Sequence, residues 1–303
     1  MKTNHSPRLN KIYLFMALTI FVFSLFCGMG LVNSKEEENK DTLETIVEPA
    51  SIMVGDTIIV KIAKDPAINE IPKLYFDKTK IPTFTLNNLW YRSLIPISAS
   101  IKPGTYALEI YYKEKSKKLN ININETKYPL ESLTLSKEVS ALKVSMIEKA
   151  EVSKALFVES PKKLWSSKFA FPSSGLRSTV YGVKRKINGV LDPDYFHKGL
   201  DFAARTGSNV IAPENGKAIL IGEQSKGFVV NGNCIFLDHG HGVVTAYLHL
   251  SKITTKEGEF VKKGQIIGQV GSTGIASGPH LHWGLYVHGM TVDPLVWTSK
   301  IIE

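Results

Sequence analysis

The run Gly278-Pro279-His280-Leu281-His282-Trp283-Gly284 constrains this chain more than any other stretch. It follows a turn rich in Gly, Ser and Thr, from Gly271 to Gly278, and reads as a strand entering a core. Along a strand, residues i and i+2 share a face, so His280 and His282 project together into one site. Imidazole is the commonest side-chain metal ligand and the usual general acid or base near neutral pH. A His-x-His pair is a weak signal by itself. Of the eight histidines, however, seven fall between 197 and 288, so one region carries the histidine chemistry.

The rest of that region is β-patterned and punctuated by glycine. Val210 to Ala212, Lys217 to Ile221, Cys234 to Leu237, Val243 to Leu248, Gln265 to Val270 and His280 to Val287 are strand candidates. They imply one packed antiparallel unit over 166–303. A second β pattern lies earlier. Thr57 to Ile62, Lys73 to Phe76, Thr83 to Leu86, Trp90 to Ile97, Thr105 to Tyr112 and the alternating Leu119 to Asn124 give six or seven short strands. These predict an immunoglobulin-like β-sandwich over 46–130, with no histidine in it and a spacer or docking role. Between the two, Val139, Leu142, Met146, Ala150 and Val152 to Leu156 recur at helical spacing. That spacing predicts a helix from Leu135 to about Phe157, capped by Ser136, within a linker over 131–165. The fold class is therefore mainly β, in two domains joined by a helix; a length of 303 residues fits that count.

Lys2, Arg8 and Lys11 precede an apolar run from Ile12 to about Val32, and no acid occurs before Glu36. This is the pattern of a signal peptide over 1–34, with Val32-Asn33-Ser34 as a cleavage site, or of an uncleaved membrane anchor of about 20 residues. Phe26 before Cys27 argues against a lipoprotein site. A charged linker over 35–45 follows. The body of the protein is thus expected outside the cytoplasm, in the periplasm or cell envelope, touching membrane only through that segment if it is retained. The net charge of +9 suits an anionic polymer such as a bacterial wall. No Lys/Arg block with interleaved aromatics points to nucleic acid. Without the N-terminal segment Cys234 stands alone, so no intrachain disulfide is expected, and its apolar surroundings read as core.

Chemistry enters with Asp194-Tyr-Phe-His197-Lys-Gly-Leu-Asp201. On a straight strand, His197 and Asp201 would lie about 13 Å apart, too far for one metal. They converge only on a helical turn or a kinked strand, and the β pattern with Gly199 favours the kink. A catalytic zinc takes three protein ligands and leaves a position open for water, which it activates as a nucleophile. His197, Asp201 and one histidine of the 280/282 pair supply two nitrogens and a carboxylate oxygen, a set that suits zinc. The other histidine of the pair and His249, in Tyr247-Leu-His249-Leu-Ser251, would then stand beside the metal as proton carriers.

His197-x3-Asp201, Tyr247-Leu-His249-Leu-Ser, the Gly271-Ser-Thr-Gly274 turn and Gly278-Pro-His280-Leu-His282 occur in the order and spacing of the lysostaphin/LytM-type zinc endopeptidases. Asp238-His-Gly240 and Val292-Asp-Pro294 also match, and Tyr181-Gly-x2-Arg185-x2-Asn188-Gly189 resembles the branch common in Gram-negative bacteria. The resemblance covers about residues 169–297. It implies one zinc and hydrolysis of peptide bonds in peptidoglycan by a chain expected to act as a monomer. By position, His197, Asp201 and His282 resemble the zinc ligands, and His249 and His280 the catalytic histidines. Which histidine of the pair binds metal comes from this resemblance and not from spacing. Arg185 is a candidate for a substrate carboxylate or an ion pair, and Tyr195 for an oxyanion donor. The Arg185/Asn188-Gly189 pattern tilts the bond expected toward the D,D type, D-alanyl–diaminopimelate. Relatives that have lost ligands activate other wall enzymes, which makes a non-catalytic wall module the alternative; this sequence has lost none. Trp283 stands where Phe is usual, which puts substrate preference in doubt. His239, His241 and His288 sit in turns and are expected in structural or surface roles.

Overall fold

Alternation builds the first body of the chain. In Leu119-Asn-Ile-Asn-Ile-Asn124 every second side chain turns inward, and Ile121 and Ile123 are buried while Asn120 and Asn122 face solvent. The computed structural model describes residues 43–140 and 142–303. The expected targeting or anchoring segment, Cys27 and most of the expected 35–45 linker lie outside those residues. The first nine strands are β1 (Thr45–Glu48), β2 (Ile52–Met53), β3 (Thr57–Ala63), β4 (Lys73–Phe76), β5 (Thr79–Ile81), β6 (Thr83–Thr85), β7 (Trp90–Pro96), β8 (Gly104–Tyr112) and β9 (Lys115–Asn124). They form two sheets, ordered β1-β3-β7-β6 and β2-β9-β8-β4-β5. Both sheets contribute to one apolar cluster, with Ile58, Val60 and Ile62 from one and Leu74, Leu108 and Ile110 from the other. β-Branched side chains suit such a pleated, buried surface. The β4–β5 turn runs through Asp77 and Lys78, both at positive φ (44° and 68°), the sense a two-residue hairpin turn needs to match strand twist.

The connecting segment opens with β10 (Leu130–Leu133) and then holds two helices, α1 (Lys137–Ser140) and α2 (Met146–Leu156). The single helix expected from Leu135 to Phe157 is therefore broken, and the reason is local. Ser145 is extended (φ −72°, ψ 160°), and its side chain accepts the Glu148 N–H, so a new helix starts there. The cap of the long helix is Ser145 and not Ser136.

Twelve strands follow: β11 (Leu176–Thr179), β12 (Lys184–Ile187), β13 (Val190–Leu191), β14 (Gly199–Ala203), β15 (Asn209–Ile211), β16 (Gly216–Gly222), β17 (Asn233–Asp238), β18 (Val243–Ile253), β19 (Phe260–Val261), β20 (Ile266–Val270), β21 (His280–Val287) and β22 (Met290–Val292). The short α3 (Pro294–Ser299) follows, with Asp293 as its N-cap. Strands β10, β12 and β13 make a small sheet, in which β10 runs parallel to β12. The other ten strands form one sheet whose main path is β11-β14-β21-β18-β17-β16-β19.

That sheet is covered on both faces, and the period of two sorts its side chains. Leu281, Trp283, Leu285 and Val287 of β21 join Leu200 and Phe202 of β14 in one core. Tyr286 of β21 joins Val244, Ala246 and Leu248 of β18 on the other face, against Val152 and Leu156 of α2. His280 and His282 have the parity of Tyr286, so they open on the α2 side. Trp283 points the other way and is fully buried. It faces away from the histidines, so its departure from Phe does not touch the site.

The two bodies pack directly. Ile59 and Leu94 of the first belong to the large core of the second. Trp297 Nε1 donates to Thr57 Oγ1 at 3.1 Å, and the Asp293 N–H donates to the Gly55 carbonyl at 2.8 Å. Arg92 is buried and donates to His241 Nδ1 at 2.6 Å, while Phe84 stacks on the same ring with centroids 4.4 Å apart. His239 and His241 are thus core groups, not surface ones. His288 is also covered, its side chain 8% exposed beside Phe84. Turn residues become interior here because the first body lies on that end of the sheet. Cys234 is buried as expected.

Candidate metal centre

Strand register brings the site together. Asp201 on β14 lies directly across from His282 on β21, and His282 lies across from Leu248 on β18, next to His249. His197 sits in the irregular run before β14. Its N–H donates to the Val183 carbonyl, and its own carbonyl accepts from Gly182, so it is pinned to the Tyr181–Val183 segment. The chain then closes tightly on β21 through Gly199. A Cβ there would meet the Trp283 carbonyl oxygen at 2.3 Å and His282 Nε2 at 2.9 Å, so only glycine allows this approach. The bend that the His-x3-Asp spacing demands is present.

His197 Nε2, Asp201 Oδ1 and His282 Nδ1 converge. The separations are 2.9 Å for His197–Asp201, 3.0 Å for His197–His282 and 2.9 Å for His282–Asp201. All three residues are buried, at 2%, 6% and 8% exposure. His197 Nδ1 lies 2.8 Å from the Val180 carbonyl, which can only accept, so the proton sits on Nδ1 and Nε2 offers a lone pair. In the neutral site at most one proton, on His282 Nδ1, is then available for three close contacts between acceptor atoms. A shared cation resolves that conflict. Zinc bonds of about 2.0–2.1 Å set tetrahedral ligands about 3.3–3.4 Å apart, so the three atoms need to part by a few tenths of an ångström. The donor set, its convergence and its burial fit zinc. Among the described residues, this is the group of three such donors close enough to share a metal.

Electrostatics agree with the geometry. Burial pushes the Asp201 carboxyl up, but the His197 and His282 imidazoles beside it win and hold it well below the usual carboxylate range. Burial lowers His282, against the pull of Asp201. His249 is pushed down to about 3 by burial, with His280 and His282 adding to the effect. It is neutral near pH 7.

His249 and His280 stand beside the three donors. Their ring centroids are 4.8 Å apart, and His280 Nε2 is 3.9 Å from Asp201 Oδ1. Each Nδ1 donates to a carbonyl, His249 to Thr273 and His280 to Gly278, both at 2.8 Å. Both rings are therefore the tautomer with a free Nε2 lone pair. His249 also holds a left-handed backbone, φ 66°, which is uncommon outside glycine and is retained here at the site.

Arg185 and Tyr195 are placed differently from a free substrate clamp. Arg185 NH2 donates to Asp201 Oδ2 at 3.2 Å, and NH1 donates to the Tyr195 hydroxyl at 3.3 Å. Its Nε is 3.8 Å from Glu131 Oε2, on the β10 strand parallel to its own. The ion-pair alternative for Arg185 is the one realised, and its partner is the carboxylate that faces both histidines. Glu131 carried no motif, and only the β10–β12 register places it. The Thr273 and Gly278 carbonyls were likewise invisible as orienting groups, because any residue supplies a carbonyl. A cleft of about 1100 Å³ runs over the five polar groups, its other wall made by Leu133, Leu135, Val152 and Leu156 of the connecting segment.

Comparison with known proteins follows the same residues. Residues 195–294 match the model of peptidase family M23. A Haemophilus influenzae chain described as an uncharacterized metalloprotease is 43% identical over 112 residues, 37% of this chain and 22% of that one. The Vibrio cholerae peptidoglycan DD-endopeptidase ShyC is 36% identical over 110 residues, 36% of this chain and 24% of its own length. The Neisseria meningitidis DD-carboxypeptidase/endopeptidase Mpg is 37% identical over 118 residues, 39% of this chain and 26% of its own. The chain thus spans about a quarter of the length of the curated relatives it matches. A solved Pseudomonas aeruginosa structure, described as a candidate M23 peptidase, superposes with a TM-score of 0.61 at 27% identity. It covers 81% of this chain and 94% of the other, so the likeness extends over both bodies. Residues 195–294 of this chain thus form a peptidase family M23 domain.

Proposed function

We propose that this chain is an exported, zinc-dependent endopeptidase that cuts peptidoglycan cross-links, of the D-alanyl–diaminopimelate type. The observation that carries the reading is the meeting of His197, Asp201 and His282 within 3.0 Å, with two oriented histidines beside them. Support for the wall substrate comes from the relatives described as DD-endopeptidases, and support for export from the basic and apolar pattern of residues 1–34.

His197 Nε2, Asp201 Oδ1 and His282 Nδ1 would hold one zinc. Bound there, zinc polarises a scissile carbonyl and supplies activated water. The residues of the chain do the rest. His249 and His280 each present a free Nε2 lone pair over the same cleft. The ring that takes a proton from the attacking water becomes an imidazolium. Its new Nε2–H can then stabilise the developing oxyanion and pass to the leaving amine, so one proton serves the whole step. The carbonyls of Thr273 and Gly278 keep both rings in the correct tautomer. Arg185 neutralises the second oxygen of Asp201 and fixes its orientation. Glu131 and Tyr195 hold Arg185 in turn.

Digestion of sacculi of defined cross-link type, with product masses read out, tests the proposal. Release of peptides split at D-alanyl–diaminopimelate bonds, abolished by a chelator and by Asp201→Ala, is the expected result. Undiminished activity after chelation overturns the zinc mechanism. Cleavage at another bond overturns the substrate.

A further inference from the structure

A carboxylate outside the metal centre is tied to it. Ser145-Met-Ile-Glu148 has the sequence of a helix capping box, in which the glutamate normally reaches back to the N–H of the capping serine. Only half of that box forms. Ser145 Oγ caps the Glu148 N–H at 3.0 Å and donates to the Gly227 carbonyl at 2.7 Å. The Glu148 side chain leaves the helix and enters the catalytic body. It is 1% exposed, and its two oxygens accept from the N–H groups of Val230 at 3.1 Å and Asn231 at 2.6 Å. A buried carboxylate is costly unless fully bonded, so this placement is specific.

The held loop contacts His249. The Asn231 carbonyl accepts the His249 N–H at 3.0 Å, and the Val230 carbonyl accepts from Ile275 at 2.9 Å. Ile275 follows the turn whose Thr273 carbonyl orients the His249 ring. The two turns also interlock through Asn233, whose N–H donates to Thr273 Oγ1 at 2.9 Å. One carboxylate thus braces both supports of a histidine whose backbone is held at φ 66°.

We infer that Glu148 is a positioning residue for His249, and that docking of α2 onto the Val230–Asn231 backbone is what fixes that ring for proton transfer. The inference rests on the proposed catalytic role of His249. Placement errors of about 1 Å far from the chemistry can cost about a hundredfold in rate, so the expected loss is of that order or somewhat below it.

The test uses the full-length, zinc-loaded protein and a soluble D-alanyl–diaminopimelate cross-linked muropeptide dimer. Glu148→Gln is expected to lower kcat about ten- to a hundredfold with KM and bound zinc unchanged. Glu148→Asp is expected to recover part of the loss. In a His249→Ala background, Glu148→Gln should cost nothing further in kcat. Imidazole NMR gives a readout independent of turnover. Glu148→Gln should shift the His249 ring signals and leave those of His197 and His282 in place. Unchanged His249 signals, equal shifts at His197, His249, His280 and His282, or additive kcat losses in the double variant each overturn the inference. If His249→Ala itself retains full kcat, or the dimer is not cut, it is the proposed function that fails, and the NMR arm still decides the brace.

Discussion

His197, Asp201 and His282 sit where three acceptors press on one another, and each side chain has a separable job. Asp201→Ala and His282→Ala are expected to lose bound zinc and activity together. His249→Ala and His280→Ala are expected to keep zinc and to lose kcat by about 10²- to 10⁴-fold, the usual worth of a positioned acid or base. Metal analysis beside a kinetic assay separates the two classes, and retention of zinc by Asp201→Ala would break the division. Arg185 belongs to neither class. Its bond to Asp201 Oδ2 makes Arg185→Ala a zinc-affinity variant, weaker by about ten- to a hundredfold in competition with a chelator, where a pure substrate clamp would change KM alone. The five residues that meet in the cleft could be named from the chain because their motifs carry them, whereas the choice of His282 over His280 as the expected metal ligand came from the resemblance alone. Arg185 and Tyr195 were marked but their partner was not. Ion-pair choice depends on the β10–β12 register, which no residue in either strand announces.

Strands were legible where their patterns were long. His280–Val287 has the bounds its alternation predicts, and the clean period of Leu119 to Asn124 placed β9. Short pieces such as Val190–Leu191 and Phe260–Val261 were not, since two residues hold no period. The connecting helix was legible in place but not in extent. Its apolar recurrence ran through Ser145, where a side-chain bond to the backbone starts the second helix after the first has already ended at Ser140. The face of β21 was also legible in principle. Parity puts Trp283 in the core, opposite the histidines, so Trp283→Phe should keep the product pattern from sacculi while lowering thermal stability. Trp283→Ala should cost about 3–5 kcal/mol in denaturant unfolding. A changed cleavage pattern in Trp283→Phe would contradict the placement.

Whole-molecule behaviour follows from the shared interior. Ile59, Leu94, Arg92 and Thr57 of the first body meet the second body's core, so calorimetry should show both unfolding in one cooperative transition. Two resolved transitions would mean the bodies are only tethered. Acid should weaken that transition for a stated reason. Burial lowers His239, His241 and His288 from near 6.5 to about 4, with Arg92 adding to the effect at His241 and His288. The unfolded chain binds protons first, so the stability these neutral rings contribute is complete above about pH 6.5 and drains away as pH falls toward 4. The melting temperature of the metal-free protein should drop across that window. A flat profile there would show that the rings are not buried neutral. This interface was not legible at all. His241 and Phe84 lie far apart in sequence, and neither the turn that holds one nor the short strand that holds the other announces the contact.

X-ray absorption at the zinc edge of the purified full-length protein tests the metal centre most directly. It should report one zinc per chain with nitrogen and oxygen ligands at about 2.0–2.1 Å and no sulfur, absent in Asp201→Ala. A chain that binds no zinc, or a sulfur shell near about 2.3 Å, would contradict it.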